Sequence, residues 1–217
     1  MLSELRVWSL VFITGVIWLT LVAASVVSGN TDAFSVIVDL LPLILLGAYA
    51  FERRGWRAQG LHPRWVETPV VIGTWRGTLT SYWEDAAGQS PAPKTVYLTI
   101  RQTLTSISVR LLSDEATSEQ VAGGVIRAES GYPAIAYNYR NKPGIGLRQA
   151  TSNIHYGGAL IEIVGDPATG LDGEYWTERR SKGKLTFREH APRIAQTHEE
   201  AAKLSYGSPR PLRVLEG

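Results

Sequence analysis

The sequence predicts a membrane-anchored all-β protein: an N-terminal two-helix transmembrane hairpin, an eight-stranded antiparallel up-and-down β-barrel, and a short C-terminal helix. Three observations carry this. Residues 7–28 run for twenty-two positions without a charge, and 33–51 for nineteen with one, Asp39. Only Gly29, Asn30, Thr31 and Asp32 separate the two runs. From Val70 the chain changes to β-branched and aromatic stretches, broken by turn residues about every ten positions.

As a helix with about 1.5 Å rise per residue, each apolar run is about as long as the ~30 Å hydrocarbon core of a bilayer. The four-residue connector makes the two helices antiparallel neighbours. Arg6 precedes the first run, and Arg53, Arg54, Arg57 and Arg64 follow the second, while the connector has no basic residue. By the positive-inside rule both ends are cytoplasmic, with Trp8, Tyr49 and Trp56 near the same interface. A secretory signal peptide is the competing reading, since the first run ends in the small residues Ala23, Ala24 and Ser25. Against it, the run exceeds the roughly 7–15 residues of a signal's apolar region, and a second run follows at once.

A carboxylate in mid-helix costs about 2.5–3.5 kcal/mol on insertion scales. Asp39 therefore either faces a neighbouring helix or a water-filled path, or is protonated or shallow, about two turns from the outer end. Pro42, one turn on, can kink the helix and admit water. Ala24 with Ser28, and Ser25 with Gly29, form small-xxx-small pairs suited to helix packing.

The chain thus divides into a hairpin over 1–56, a linker over 57–69, a barrel over 70–190 and a C-terminal helix with tail over 191–217. Eight strands are expected at 70–82, 95–102, 105–112, 120–128, 134–140, 155–164, 172–180 and 184–189. Between them stand Gly88 to Pro93, Ser113 to Ala116, Ser130 to Pro133, Asn141 to Gly144, Asp166 to Gly170 and Ser181 to Gly183, each with Gly, Pro, Asn or Asp where a turn needs it. The inward parity changes between Val96, Leu98, Ile100 and Ile107, Val109, Leu111. An unbroken strand over 95–112 would reach roughly 60 Å, so a turn belongs at Thr103 to Ser106. Short strands with tight links close most simply into a barrel just wide enough to fill with side chains or hold one small ligand. Thr197 and Glu200 match a capping box that opens the last helix.

Composition removes several function classes. Residues 1–64 hold five basic and four acidic side chains and the remainder seventeen and sixteen, so the soluble part lacks the basic excess of a binder of long nucleic acid. The chain has no cysteine, so disulfides and thiolate metal sites are excluded. Its four histidines, His62, His155, His190 and His198, form no metal motif, and no Walker, nucleophile-elbow or dinucleotide fingerprint occurs. No catalytic residues, cofactor or metal are expected.

Period-two reading assigns inward faces. Gly73, Trp75, Gly77 and Leu79 share one, with Trp75 as a plug at the barrel's bottom. Ile135, Tyr137 and Tyr139 share another, as do His155, Gly157, Ala159, Ile161 and Ile163, and Tyr175, Thr177 and Arg179. With Gln102, these faces would give a cavity of aromatic rings, a His, a Gln, a Thr and an Arg. Rings of this kind stack on a planar base and a guanidinium forks a phosphate. The alternative places Tyr139 and Arg179 on an outer face. Arg101 and Arg110 fall opposite the apolar side chains, outside.

The order of short motifs extends this reading. Gly73-Thr-Trp-Arg-Gly-Thr-Leu79, Val96-Tyr-Leu-Thr-Ile-Arg-Gln102, Tyr137-Asn-Tyr-Arg-Asn141, His155-Tyr-Gly-Gly158 and Gly173-Glu-Tyr-Trp-Thr-Glu-Arg179 follow a two-helix anchor. Together they resemble the membrane-anchored β-barrel effectors of CBASS antiphage defence, receptors for cyclic dinucleotides associated with CD-NTases and similar in role to STING. The Thr117-Ser118-Glu119-Gln120 stretch departs from the Ser-rich segment expected near the fourth strand. The resemblance implies a bacterial inner-membrane protein with its barrel cytoplasmic. A nucleotidyltransferase encoded nearby would supply a cyclic dinucleotide, 3′,3′-linked. Ligand in the barrel would gather subunits into a homo-oligomer, and the helices would disrupt the bilayer, causing abortive infection. On that reading Tyr137, Tyr139, Tyr175 and His155 contact bases, Arg179, Thr177 and Gln102 make polar or phosphate contacts, and Asp39 acts in the membrane or oligomer. A membrane-tethered carrier of a lipid or other apolar ligand is the alternative; a membrane hydrolase and an inert scaffold rank below it.

Overall fold

The computed structural model describes residues 16–18, 20, 23–24, 27, 41, 44–58, 61, 66–84, 87–127, 131–144 and 154–209. The expected spans 7–28 and 33–51 fall largely outside these residues, and Asp39 falls outside them altogether. Among the described residues no helix is long and apolar enough to cross a membrane.

The chain forms two compact units, Met1–Thr68 with Thr103–Thr105, and Pro69–Gln102 with Ser106–Gly217. In the first, residues 44–53 are helical and lead into a 3-10 turn, Gly55–Arg57. Leu45, Leu46 and Tyr49 stand exposed on this helix. Glu52 collects the 103–105 segment. Its carboxylate accepts from the Thr103 and Thr105 hydroxyls at 2.6 and 2.7 Å, and its carbonyl accepts from the Leu104 amide at 3.1 Å. Arg53 lies over the Tyr49 ring, and the Arg57 guanidinium donates to the Arg53 carbonyl, where the helix leaves carbonyls without partners.

The second unit is a closed barrel of eight antiparallel strands in sequence order. They are β1 (Gly73–Ser81), β2 (Lys94–Gln102), β3 (Ile107–Leu112), β4 (Ala116–Arg127), β5 (Pro133–Pro143), β6 (His155–Val164), β7 (Gly170–Thr177) and β8 (Lys182–Ala191). Closure of β8 on β1 leaves no edge strand. Each expected strand overlaps an observed one, and the turn over 103–106 stands where the parity change puts it. Two bulges, at Arg76/Gly77 and Gln120/Ala122, bend β1 and β4. The weakest seam is β3 with β4, paired at Arg110, Leu111 and Leu112 only. Beyond it the Gln120 side chain accepts from the Val109 amide at 2.9 Å, replacing a backbone partner.

The interior follows the period-two faces. Trp75, Val96, Leu98, Ile100, Val109, Ile135, Ile161, Ile163, Leu171, Leu185 and Phe187 form one buried core. Trp75 closes the end at which β1 begins; its indole N–H donates to the Val71 carbonyl at 2.9 Å. A second, outer cluster lies beyond the faces that alternation assigns to the interior. Tyr97 and Leu112 face outward, yet α1 (His198–Ala202) and the segments flanking it cover them through Ala195, Ala201, Leu204 and Tyr206. Thr197 caps α1, its hydroxyl accepting from the Glu200 amide at 3.1 Å, while the Glu200 carboxylate accepts from the Gln196 amide.

His190 packs against Trp75 with the rings tilted at 47° and centroids 4.6 Å apart, and its Nε2 meets the Ile72 carbonyl at 2.9 Å. Burial holds this imidazole below its ordinary pKa, outweighing the carbonyl that favours the charged ring. The fold therefore binds it neutral, while the unfolded chain takes up a proton near pH ~6.5. Because the unfolded state then binds more protons, stability falls as pH drops through that value. Thermal unfolding from about pH 7 to about pH 5 should show this loss, and His190→Asn should flatten the dependence; equal slopes would remove His190 from it.

Candidate ligand-binding site

The upper half of the barrel is not filled. A cavity of about 260 Å³ opens at the end where β2 starts, opposite the Trp75 plug. Its floor is Val96, Ala159 and Leu185, its walls are Tyr137, Tyr139 and Tyr175, and its rim carries Lys94, Glu115, Ser118, Asn141, His155 and Thr177.

Glycines make room for the tyrosines. A Cβ on Gly157 would lie 2.5 Å from the Tyr139 ring and hydroxyl, and one on Gly183 would lie 2.6 Å from the Tyr175 ring. The Tyr137 and Tyr139 rings are tilted with centroids 6.0 Å apart, and the Tyr139 hydroxyl reaches the Trp176 carbonyl at 3.4 Å. Burial raises the pKa of both phenols, so both stay neutral hydrogen-bond donors. Trp176, by contrast, points outward and lies across Gly158.

The rim is polar and tied together. Ser118 Oγ meets Asn141 Oδ1 at 2.8 Å, and the Thr177 and Ser181 hydroxyls lie 2.7 Å apart. Lys94 Nζ pairs with Glu115 Oε1 at 2.5 Å. The two side chains are 38% and 52% exposed, so the pair contributes only ~0–1 kcal/mol to stability.

Of the residues expected at the site, Tyr137, Tyr139, His155, Tyr175 and Thr177 come together around this cavity. Two do not. Gln102 faces inward as its parity requires, but at the closed end: its amide accepts from the Val71 amide at 3.0 Å and donates to the Pro69 carbonyl at 2.7 Å. Period two gives the face of a strand, not the height along it, and β2 runs from rim to floor plug. Arg179 follows the last residue of β7, Thr177, and sits exposed in the turn to β8, where alternation no longer applies. Lys94, Glu115, Ser118 and Asn141 join the site without having been expected there. Lys94 and Asn141 share the parity of Val96 and Tyr139, so extending the inward face to the strand ends finds them. Glu115 lies in a turn and carries no such signal.

The arrangement is an aromatic-walled receptacle, plugged at one end and rimmed with polar groups at the other: a small-ligand receptor barrel. The profile of the family "Cap15, cyclic dinucleotide receptor domain" matches residues 66–189, and the chain belongs to that family. A curated relative, "CD-NTase-associated protein 15" of Staphylococcus schleiferi, is 28% identical over 160 residues, covering 74% of this chain and 80% of the relative.

Proposed function

We propose that this chain is a CBASS effector whose barrel binds a 3′,3′-linked cyclic dinucleotide made by a partner CD-NTase, and whose N-terminal helices, gathered in a homo-oligomer, disrupt the bacterial inner membrane. The observation that carries the ligand reading is the three-tyrosine wall over an open cavity in a member of this receptor family. At about 260 Å³ the cavity lies just under the roughly 300–1,000 Å³ usual for ligand pockets, so it takes a base and leaves phosphates at the rim. The His155 ring and the tyrosines supply stacking faces, and Thr177 and Asn141 supply polar edges.

The membrane reading is supported by the two apolar runs and by the helical segment 44–53, whose Leu45 and Leu46 are 61% and 63% exposed. Exposed side chains of this kind suit lipid rather than water. Tethering raises the local concentration of barrels, so ligand-linked assembly needs only a modest difference in affinity between states. Copies of Asp39 brought together would favour water entry into lipid.

The test is calorimetric titration of the purified full-length chain with 3′,3′-linked cyclic dinucleotides and with fatty acids. One cyclic dinucleotide should bind at micromolar Kd or tighter. Binding of fatty acid alone would make the protein a lipid carrier instead. In cells supplied with the ligand, Asp39→Leu should keep binding and lose toxicity; retained toxicity would take Asp39 out of the output step.

A further inference from the structure

We propose that the Lys94–Glu115 pair is a counter-ion latch at the mouth of the barrel. The Lys94 ammonium exchanges the Glu115 carboxylate for a phosphate oxygen when ligand enters. This rests on the cyclic-dinucleotide reading and deepens it, because it names the group that meets the phosphates and the group that opposes them.

The charge of the cavity lining motivates it. Lys94 and Glu115 are the Lys, Arg, Asp or Glu side chains that line the cavity among the described residues, and they cancel. A ligand with two phosphodiesters brings two negative charges to a lining of zero net charge, one member of which repels it. The resting pair is therefore mismatched to an anionic guest, and the exchange corrects the mismatch. Phosphate takes the cation in a charge-assisted hydrogen bond, and the carboxylate turns out to water.

The backbone geometry lets this happen by side-chain motion alone. Lys94 is held at the start of β2 by its pairing with Leu79. Glu115 sits in the turn between β3 and β4, which is closed by Ser113 N to Ala116 O at 2.9 Å and Ala116 N to Ser113 Oγ at 2.9 Å. The Glu115 carbonyl further accepts from Gly144 N at 2.9 Å, which pins the turn to the end of β5. Both anchors are fixed while both side chains are half exposed, so swinging Glu115 away disturbs no ladder. The latch also confers selectivity. A neutral nucleoside reaching the same tyrosines leaves the ion pair closed and gains nothing from Lys94.

The experiment uses the purified full-length chain titrated with the 3′,3′-linked cyclic dinucleotide that wild type binds best, and with the matching neutral nucleoside. Lys94→Gln should weaken dinucleotide binding about tenfold or more and make its salt dependence shallower. Glu115→Gln should tighten binding about three- to tenfold, because the competitor for Lys94 is gone. The double variant should bind more weakly than Glu115→Gln and within about threefold of Lys94→Gln, since without the cation only the carboxylate's direct repulsion of the anion is left to relieve. Lys94→Arg should stay near wild type, and nucleoside affinity should not move in any variant. A purely structural pair would give a weaker Glu115→Gln, and that result, or an unchanged Lys94→Gln, overturns the latch while leaving the receptor reading in place. Wild type that binds no cyclic dinucleotide overturns both.

Discussion

Ala159→Phe is expected to abolish cyclic-dinucleotide binding and leave the barrel folded. Ala159 is 2% exposed to solvent, lies on the cavity floor, and stands in register between Tyr137 on β5 and Tyr175 on β7. A phenyl ring grown from its Cβ enters the space between those two phenols, where a base would stack. Inserting carbon into a well-packed core costs about 1–3 kcal/mol, but here the new atoms enter open volume, so the cost belongs at the low end of that range. The binding loss should be at least about a hundredfold, ~2.7 kcal/mol, since base and ring cannot share the site. Titration measures the first quantity and thermal unfolding with far-ultraviolet circular dichroism the second. Wild-type affinity in a folded Ala159→Phe protein would move the ligand out of this cavity.

The inward placement of that alanine is legible in the sequence alone. His155, Gly157, Ala159, Ile161 and Ile163 alternate with outward residues, and β6 begins and ends where the alternation does. The same holds for Ile135, Tyr137 and Tyr139 on β5. What period two does not supply is depth. Gln102 and Lys94 share one face of one strand, yet one is stapled to Val71 and Pro69 at the plugged end and the other stands at the mouth. Depth depends on the stagger between strands, which is a property of the closed barrel rather than of any single strand. Turns form the second gap. Arg179 falls inward only if β7 is continued two residues too far, and Glu115 escapes notice because a turn has no alternation to read. The third is tertiary covering: Tyr97 alternates as a solvent-facing residue and is only 6% exposed, because the chain returns over it after β8.

Depth also separates the two ends of the barrel in a way that mutation can expose. Trp75→Ala should lower the unfolding free energy by about 3–5 kcal/mol, a large part of the ~5–15 kcal/mol available to a domain of this kind. The indole is 2% exposed, packs at a tilt against His190, and ties Val71 from the carbonyl side while Gln102 ties it from the amide side. Removing it leaves a void at the plug and strands the Val71 carbonyl without its donor. Trp75, Val71, Gln102 and His190 do not line the cavity that Tyr137, Tyr139 and Tyr175 wall, so the fraction that remains folded should bind ligand with little change. Denaturant unfolding gives the stability loss, and titration below the unfolding transition gives the affinity. Trp75→Ala and Ala159→Phe thus form opposite cases, one unstable and competent, the other stable and blind. A Trp75→Ala protein of normal stability that no longer binds would mean that the ligand enters through the end this indole fills, and the receptor would have to be turned upside down.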